Sequence, residues 1–185
     1  MNYQDRAKQI SDRINELASI SEQPGMVTRT YGSPSFLKGA QLVSEWMHKA
    51  GLKTHIDNIG NVRGRWLCNE SNAKTLIIAS HIDTVVNAGK FDGTLGVIMG
   101  LDAIEHLINN KINVPYNIEL IAFADEEGVR FHTTYLGSKV VAGSFDRTLL
   151  SRTDKANISL SDTIKSIGGN PDLLLEDAIH DELLG

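Results

Sequence analysis

Residues 74–84, Lys-Thr-Leu-Ile-Ile-Ala-Ser-His-Ile-Asp-Thr, decide the fold of this chain. The apolar run before His81 is too short for an isolated helix and too apolar for a loop, so it predicts a buried strand with His81 at its carboxyl end. Residues 117–124, Asn-Ile-Glu-Leu-Ile-Ala-Phe-Ala, repeat the arrangement and lead into an acidic loop at 125–127. Because ligands of open α/β sheets bind beyond the carboxyl ends of the strands, both loops are predicted to face one cleft with a shared metal site.

The apolar periodicity of the remaining sequence surrounds these strands with helices. Alternation over residues 52–57 and 62–66, with a turn between them, predicts a hairpin at the edge of the sheet. This order of elements indicates an α/β fold with a small mixed sheet and flanking helices. The predicted helices cover residues 3–20, 33–51, 95–108, 160–167 and 171–184.

The composition argues against several classes of partner. The chain has 185 residues, 41% of them hydrophobic, and a net charge of −5 with its lysines and arginines scattered. A nucleic-acid surface, which needs a basic patch, is therefore not expected, and no apolar run approaches the ~20 residues of a membrane span. The polar N-terminus lacks a signal-peptide core, so we expect a cytoplasmic protein with a small-molecule substrate. The single cysteine, Cys68, lies in a polar turn and is interpreted as incidental.

One imidazole and two carboxylates in these loops form a ligand set that suits zinc, manganese or cobalt. His81, Asp92 and Glu127 supply it. Asp83 lies two residues beyond His81, so on an extended segment it faces the same side and is predicted to accept the second imidazole N–H. Glu126 is then free to act as a general base. The His-x-Asp segment at 81–83 is common by chance, and a Glu-Glu pair such as that at 126–127 is usually a solvated turn. Both together, in this order after two predicted strands, indicate a metal site.

Further motifs extend the pattern along nearly the whole chain. The ligands lie in Gly89-Lys90-Phe91-Asp92-Gly93 and in Glu126-Glu127-Gly128-Val129-Arg130-Phe131, and earlier segments read Val27-Thr28-Arg29 and Asp57-Asn58-Ile59-Gly60-Asn61. With these motifs the chain resembles the amidase hydantoinase/carbamoylase branch of the M20 metallopeptidase superfamily. Its best-known members are allantoate amidohydrolase and N-carbamoyl-L-amino acid hydrolase. The Glu-Glu-Gly-x-Arg-Phe pattern is characteristic of this branch.

The resemblance implies a role for each candidate residue. It implies two divalent metal ions, zinc, manganese or cobalt, with His81 on one, Asp92 bridging both and Glu127 on the second. Asp83 is the supporting carboxylate and Glu126 the acid/base. The implied reaction is the hydrolysis of a linear ureido or amidine C–N bond, in which Glu126 takes a proton from water and returns it to the leaving nitrogen.

The resemblance further implies that residues 1–185 are the N-terminal part of a metal-dependent catalytic domain. Members of the branch are considerably longer, and they form homodimers through an inserted lid that has no counterpart here. Two further histidine ligands and the substrate-binding residues are expected beyond this segment. We therefore expect an incomplete M20-type zinc-hydrolase catalytic domain that is inactive or nearly so by itself, because three ligands leave two metals underfilled.

Two alternative functions stay open. One is a non-catalytic domain that keeps the fold and binds a partner at an unpaired sheet edge. The other is an M20 aminopeptidase or N-acyl amino acid deacylase, which turnover of peptides or N-acyl amino acids would favour. His132 and His180 are the remaining histidines to consider near the cleft, and neither is expected to be a ligand. Arg130 and Phe131 are expected to pack against the acidic loop.

Overall fold

A four-stranded mixed sheet forms the centre of the fold in the computed structural model, which describes residues 2–184. The strands lie in the order β1-β2-β4-β3, and β2 is antiparallel to both of its neighbours. β3 runs parallel to β4, with His81 opposite Phe123. The predicted α/β fold with a mixed sheet and an edge hairpin is confirmed. The strands are β1 (Lys53–Ile56), β2 (Val62–Trp66), β3 (Thr75–His81) and β4 (Asn117–Phe123).

Within the described residues, five α-helices accompany the sheet. Ser33 caps the second of them, accepting the main-chain N–H of Phe36 at 3.0 Å, and Pro34 occupies its first position. The helices expected near 3–20, 33–51, 95–108 and 160–167 are confirmed. One additional helix, of six residues, lies between the last two of these and is too short to be predicted from periodicity. The helices are α1 (Tyr3–Ser19), α2 (Pro34–Lys49), α3 (Thr94–Asn109), α4 (Leu136–Val141) and α5 (Leu160–Ser166).

The apolar faces of the three long helices pack into one core with the sheet. Ion pairs join α1 to α3: Arg13 Nη2 lies 2.7 Å from Glu105 Oε1, and Arg6 pairs with Asp102. Across residues 2–184, no helix is long and apolar enough to cross a membrane. Fully buried members of the core include Leu17, Val43, Met47, Val97, Leu101, Ile104 and Leu120.

The C-terminal segment is not the helix predicted over residues 171–184. It forms a 3₁₀ turn at Leu174–Asp177 and then extends beside the start of β3. The main-chain N–H of Thr75 donates to the carbonyl of Glu182 at 2.9 Å, and that of Leu184 donates to the carbonyl of Thr75 at 3.0 Å. The prediction was wrong because the free edge of β3 provides backbone partners that compete with a helix.

The turn of the edge hairpin supports the end of β4. The Oδ1 atom of Asn61 accepts the main-chain N–H of Ala124 at 2.9 Å, and its Nδ2 atom donates to the carbonyl of Gly137 at 3.1 Å. The same Nδ2 donates to Asp57 Oδ2 at 2.8 Å. Because Ala124 directly precedes the acidic loop, this buried network holds the base of that loop.

Asp57 is expected to make the stability of the fold depend on pH. Burial raises the pKa of Asp57 to about 7, although the hydrogen bonds from Asn61 oppose the increase. In the unfolded chain an aspartate titrates near pH ~4, so between about pH 4 and 7 the folded state binds more protons. The free energy of unfolding should therefore fall as the pH rises through this window, by up to about 1.4 kcal/mol per pH unit from this group.

Urea denaturation at several pH values measures the effect, with Asp57→Asn as the control. The difference in unfolding free energy between the two proteins should change across the window and level off above pH 7. A constant difference would contradict a raised pKa at Asp57.

Candidate metal centre

His81 stands at the carboxyl end of β3, and its side chain is 12% exposed. Its Nδ1 atom lies 3.0 Å from the main-chain carbonyl oxygen of Asp83. Its Nε2 atom lies 3.9 Å from Asp92 Oδ1 and 3.8 Å from Glu126 Oε2. Nε2 is therefore the ring nitrogen that lies near the carboxylates of Asp92 and Glu126.

The three predicted ligands converge. One donor atom from each of His81, Asp92 and Glu127 lies within 4.8 Å of the others. Asp92 is exposed and Glu127 is partly buried, so the group opens toward solvent. A convergent imidazole and two carboxylates are a donor set that zinc, manganese and cobalt accept, so the residues present fit a divalent metal ion.

Gly93 shapes the space that the His81 ring occupies. Its φ is +63°, and a Cβ atom placed on it would lie 2.5 Å from the imidazole ring. The absence of a side chain at this position lets the ring pack against the backbone that follows Asp92. Two ligand-bearing segments can therefore approach each other closely.

Gly93→Ala is accordingly expected to displace the His81 ring. The added methyl group clashes with the ring and is strained at positive φ, so we expect a loss of stability of about 1–3 kcal/mol and weaker zinc binding. Isothermal titration and urea denaturation measure the two effects. Gly89→Ala is the matched control, because its Cβ would meet no atom within 4 Å. Equal behaviour of the two variants would contradict this role for Gly93.

Asp83 joins the two loops of the site. Its side chain is buried, with Oδ1 accepting the main-chain N–H of Glu126 and Oδ2 that of Glu127, each at 3.1 Å. In this respect the structure differs from the prediction, because the imidazole Nδ1 of His81 is closer to the main-chain carbonyl of Asp83 than to its carboxylate, which lies 3.7 Å away. The carboxylate is used instead to fix the acidic loop.

The crowded carboxylates shift the proton affinities of the site. Burial lowers the pKa of His81, but the nearby carboxylates of Asp83 and Glu126 outweigh it and raise the pKa to about 9. Burial, and after it the charge of Asp92, raises the pKa of Glu127. Burial and Asp83 likewise raise the pKa of Asp125 well above its usual range. A divalent cation would relieve this repulsion, since a bound ion is often the largest charge in such a site.

Arg130 and Phe131, which follow the acidic loop, contact other parts of the fold. Arg130 donates from Nε to Asp154 at 2.8 Å and from Nη1 to the carbonyl of Tyr31 at 3.2 Å, while the ring of Phe131 is buried. His132 and His180 are exposed and lie outside the ligand group found in residues 2–184.

Sequence reasoning assigned no supporting role to Asn61 and Arg29, although both lie in motifs that carry the resemblance. Asn61 is fully buried beneath the acidic loop, and Arg29 is fully buried behind the His81 loop. Asn61 lies in the turn between β1 and β2 and Arg29 lies between two threonines, so neither position carries a periodic signal of burial. Only the presence of these residues in the motifs pointed to them.

Comparison with known proteins agrees with this geometry. Residues 77–175 match the profile of Peptidase family M20/M25/M40. The chain belongs to this family. The matched region includes all five candidate site residues, from His81 to Glu127. The predicted resemblance to the M20 superfamily is thus confirmed.

The relatives also agree with the predicted branch. The chain is 43% identical over 155 residues to allantoate deiminase 1 of Glycine max, covering 83% of this chain and 32% of that protein. It is 34% identical over 170 residues to the N-carbamoyl-L-amino acid amidohydrolase of Geobacillus stearothermophilus, covering 91% and 42%. A hydantoinase/carbamoylase family amidase from Burkholderia ambifaria superposes with a TM-score of 0.82 at 29% identity, covering 88% and 41%. The chain therefore spans about a third to two fifths of the length of these relatives.

Proposed function

We propose that this chain is the N-terminal part of the catalytic domain of a metal-dependent amidohydrolase. The proposed reaction cleaves a linear C–N bond in a carbamoyl, ureido or amidine compound of the allantoate or N-carbamoyl-L-amino acid type. The observation that carries the proposal is the convergence of His81, Asp92 and Glu127 within 4.8 Å, with Glu126 beside them. The names of the relatives, an allantoate deiminase and an N-carbamoyl-L-amino acid amidohydrolase, support the choice of substrate class.

The proposed metal ligands are His81, Asp92 and Glu127. Zinc, manganese and cobalt all suit this set of one nitrogen and two oxygen donors, and Asp92 is the proposed bridge if two ions bind. A bound ion would polarise the substrate and lower the pKa of water in the cleft. The three ligands come from β3, from the segment before α3 and from the loop after β4, so the fold must be intact for the metal to bind.

Glu126 is the proposed acid/base residue. Its Oε2 atom lies 3.8 Å from Nε2 of His81, at the edge of the ligand group, and the side chain is partly exposed to the cleft. From there its carboxylate would accept a proton from the attacking water and return it to the leaving nitrogen. Asp83 acts on Glu126 indirectly, because it holds the main-chain N–H of that residue.

A chimera tests the function, because this chain by itself is expected to be inactive. The aligned 155 residues of Glycine max allantoate deiminase 1 would be replaced by those of this chain, and ammonia release from allantoate would be measured with added manganese. We expect turnover that Glu126→Gln removes while the chimera stays folded and metal-loaded. A folded, metal-loaded chimera that lacks turnover, or that cleaves peptides or N-acyl amino acids instead, would contradict the proposal.

A second candidate function, partner binding, is favoured by the free edge of β3. In a parallel strand the N–H and C=O groups of every second residue point to the same side of the strand. The groups of Thr75 point away from β4 and already pair with residues 182–184. The groups of Ile77, Ala79 and His81 point to the same side and, within residues 2–184, have no backbone partner. An unpaired edge of this kind can accept a strand from another chain.

Sedimentation of the purified chain tests this second function. Strand addition between copies predicts association that rises with protein concentration and is lost in Ala79→Pro, which removes an N–H at the free edge. A monomer at every concentration would contradict strand addition between copies of this chain.

A further inference from the structure

Arg29 is a buried cation behind the metal-binding loop. Its side chain is fully buried, and its four side-chain hydrogen bonds all end on uncharged oxygen atoms. Burial of a guanidinium that donates no hydrogen bond to a carboxylate destabilises the folded state, because several kcal/mol of hydration free energy are lost for each buried ion. Such a residue calls for an explanation beyond packing.

The guanidinium contacts two of the three ligand-bearing segments. Its Nε atom donates to the carbonyl of Ile82 at 2.7 Å, and Ile82 stands between His81 and Asp83. Its Nη2 atom lies 3.5 Å from the hydroxyl of Thr94, the first residue of α3 and the second after Asp92. One side chain thus reaches both the segment of His81 and the segment of Asp92.

The other contacts of Arg29 anchor it to the rest of the fold. Its Nη1 atom donates to the carbonyls of Leu17 at 2.8 Å and Ile20 at 3.1 Å, which are the end of α1 and the residue that follows it. Its backbone exchanges hydrogen bonds with Thr84, accepting from the N–H of that residue and donating to its hydroxyl. Arg29 therefore connects the backbone of the His81 loop to the end of α1.

The charge of Arg29 also lies close to the acidic cluster. Burial lowers the pKa of Arg29 to about 10, and the carboxylate of Asp83 opposes the decrease, so the side chain stays charged at neutral pH. A fixed positive charge behind Asp83 offsets part of the repulsion among the carboxylates in front of it.

We propose that Arg29 is a positioning residue of the metal centre, which holds the segments of His81 and Asp92 in the arrangement that lets the three ligands converge. This inference rests on the proposed function, since it assumes that the group binds metal. Because the guanidinium donates through three nitrogens in fixed directions, lysine cannot reproduce its contacts.

Cobalt binding tests the proposal, followed by the visible absorption of the bound ion and by calorimetry. The variants are Arg29→Met and Arg29→Lys, and the control is Arg13→Met. Arg13 also joins α1 to α3, through Glu105 at 2.7 Å, but it contacts no ligand-bearing loop. All measurements use conditions in which circular dichroism and urea curves show each variant to be folded.

We expect Arg29→Met to weaken cobalt binding by about 10–100-fold and to alter the spectrum, as changes behind metal ligands typically do. The cobalt affinity of Arg29→Lys should lie between those of Arg29→Met and the unsubstituted protein. The cobalt affinity of Arg13→Met should be within about twofold of that of the unsubstituted protein, because this substitution changes stability alone. If Arg29→Met does not fold, Arg29→Lys decides the outcome.

Two results would overturn the role of Arg29. One is a folded Arg29 variant with unchanged affinity and spectrum, and the other is an equal loss in Arg13→Met. Failure of the unsubstituted protein to bind cobalt would be a different result, because it would contradict metal binding by His81, Asp92 and Glu127 alone and with it the role of Arg29, whereas the chimera tests the proposed hydrolysis separately.

Discussion

Asp92→Asn is expected to weaken zinc binding by at least about 100-fold, or close to 3 kcal/mol, whereas Glu126→Gln should cost less than about tenfold. Both substitutions keep the size of the side chain and remove one negative charge, so they separate ligation from general electrostatic attraction. Asp92 contributes one of the three donor atoms that lie within 4.8 Å of one another, and Glu126 is outside this group.

The exposure of Asp92 strengthens the expectation. Its side chain is 58% exposed, so the substitution leaves the core intact and the loss can be read as a loss of ligation. Isothermal titration of zinc and manganese into the metal-free protein gives the two affinities. Equal losses in the two variants would contradict the assignment of Asp92 as a ligand and Glu126 as an acid/base residue.

Asp83→Ala is expected to give the largest loss of folding stability, about 3–5 kcal/mol. The carboxylate is buried, and it accepts the main-chain N–H groups of Glu126 and Glu127 at 3.1 Å. Its removal leaves these two donors without their acceptor and takes away a negative charge that stabilises the charged form of the buried Arg29. Metal affinity should fall as well, since the loop that carries Glu127 loses its attachment to the loop that carries His81.

Urea denaturation measures this loss, with Asp12→Ala as the control. Asp12 is 60% exposed and pairs with Lys8 on the surface of α1, so its removal should cost less than about 0.5 kcal/mol. An Asp83→Ala protein as stable as the control would mean that water satisfies the two N–H groups, and Asp83 would then not be the connection between the loops.

Much of the fold follows from local patterns in the sequence. The runs before His81 and Asp125 are short, apolar and rich in isoleucine, and both form strands because no other local structure buries them as well. Ser33 and Pro34 begin α2 for reasons contained in the residues themselves, a hydroxyl that caps the helix and a ring that fits its first turn. These elements could be predicted.

The C-terminal segment shows where local patterns fail. Residues 171–184 have apolar spacing that a helix would satisfy, yet Glu182 and Leu184 pair with Thr75 of β3. Nothing in the segment encodes this pairing, because the partner lies more than a hundred positions away along the chain. The competition between helix and edge strand is decided by whether a free edge is within reach.

The sequence by itself determined which residues are available for metal chemistry and at which strand ends they stand. His81 and Glu127 follow apolar runs that must be strands, and the family motif gave Asp92 its place between them. Residue type and local periodicity suffice for this, because both are properties of short segments.

Only the tertiary structure decided how close these candidate ligands come and which contacts surround them. The donor atoms lie within 4.8 Å of one another, a Cβ atom on Gly93 would lie 2.5 Å from the His81 ring, and Asp83 accepts two N–H groups of the acidic loop. The burial of Arg29 between α1 and the His81 loop is likewise a contact among distant segments. Distances of this kind are set by packing between elements, and a linear sequence carries no local signal of them.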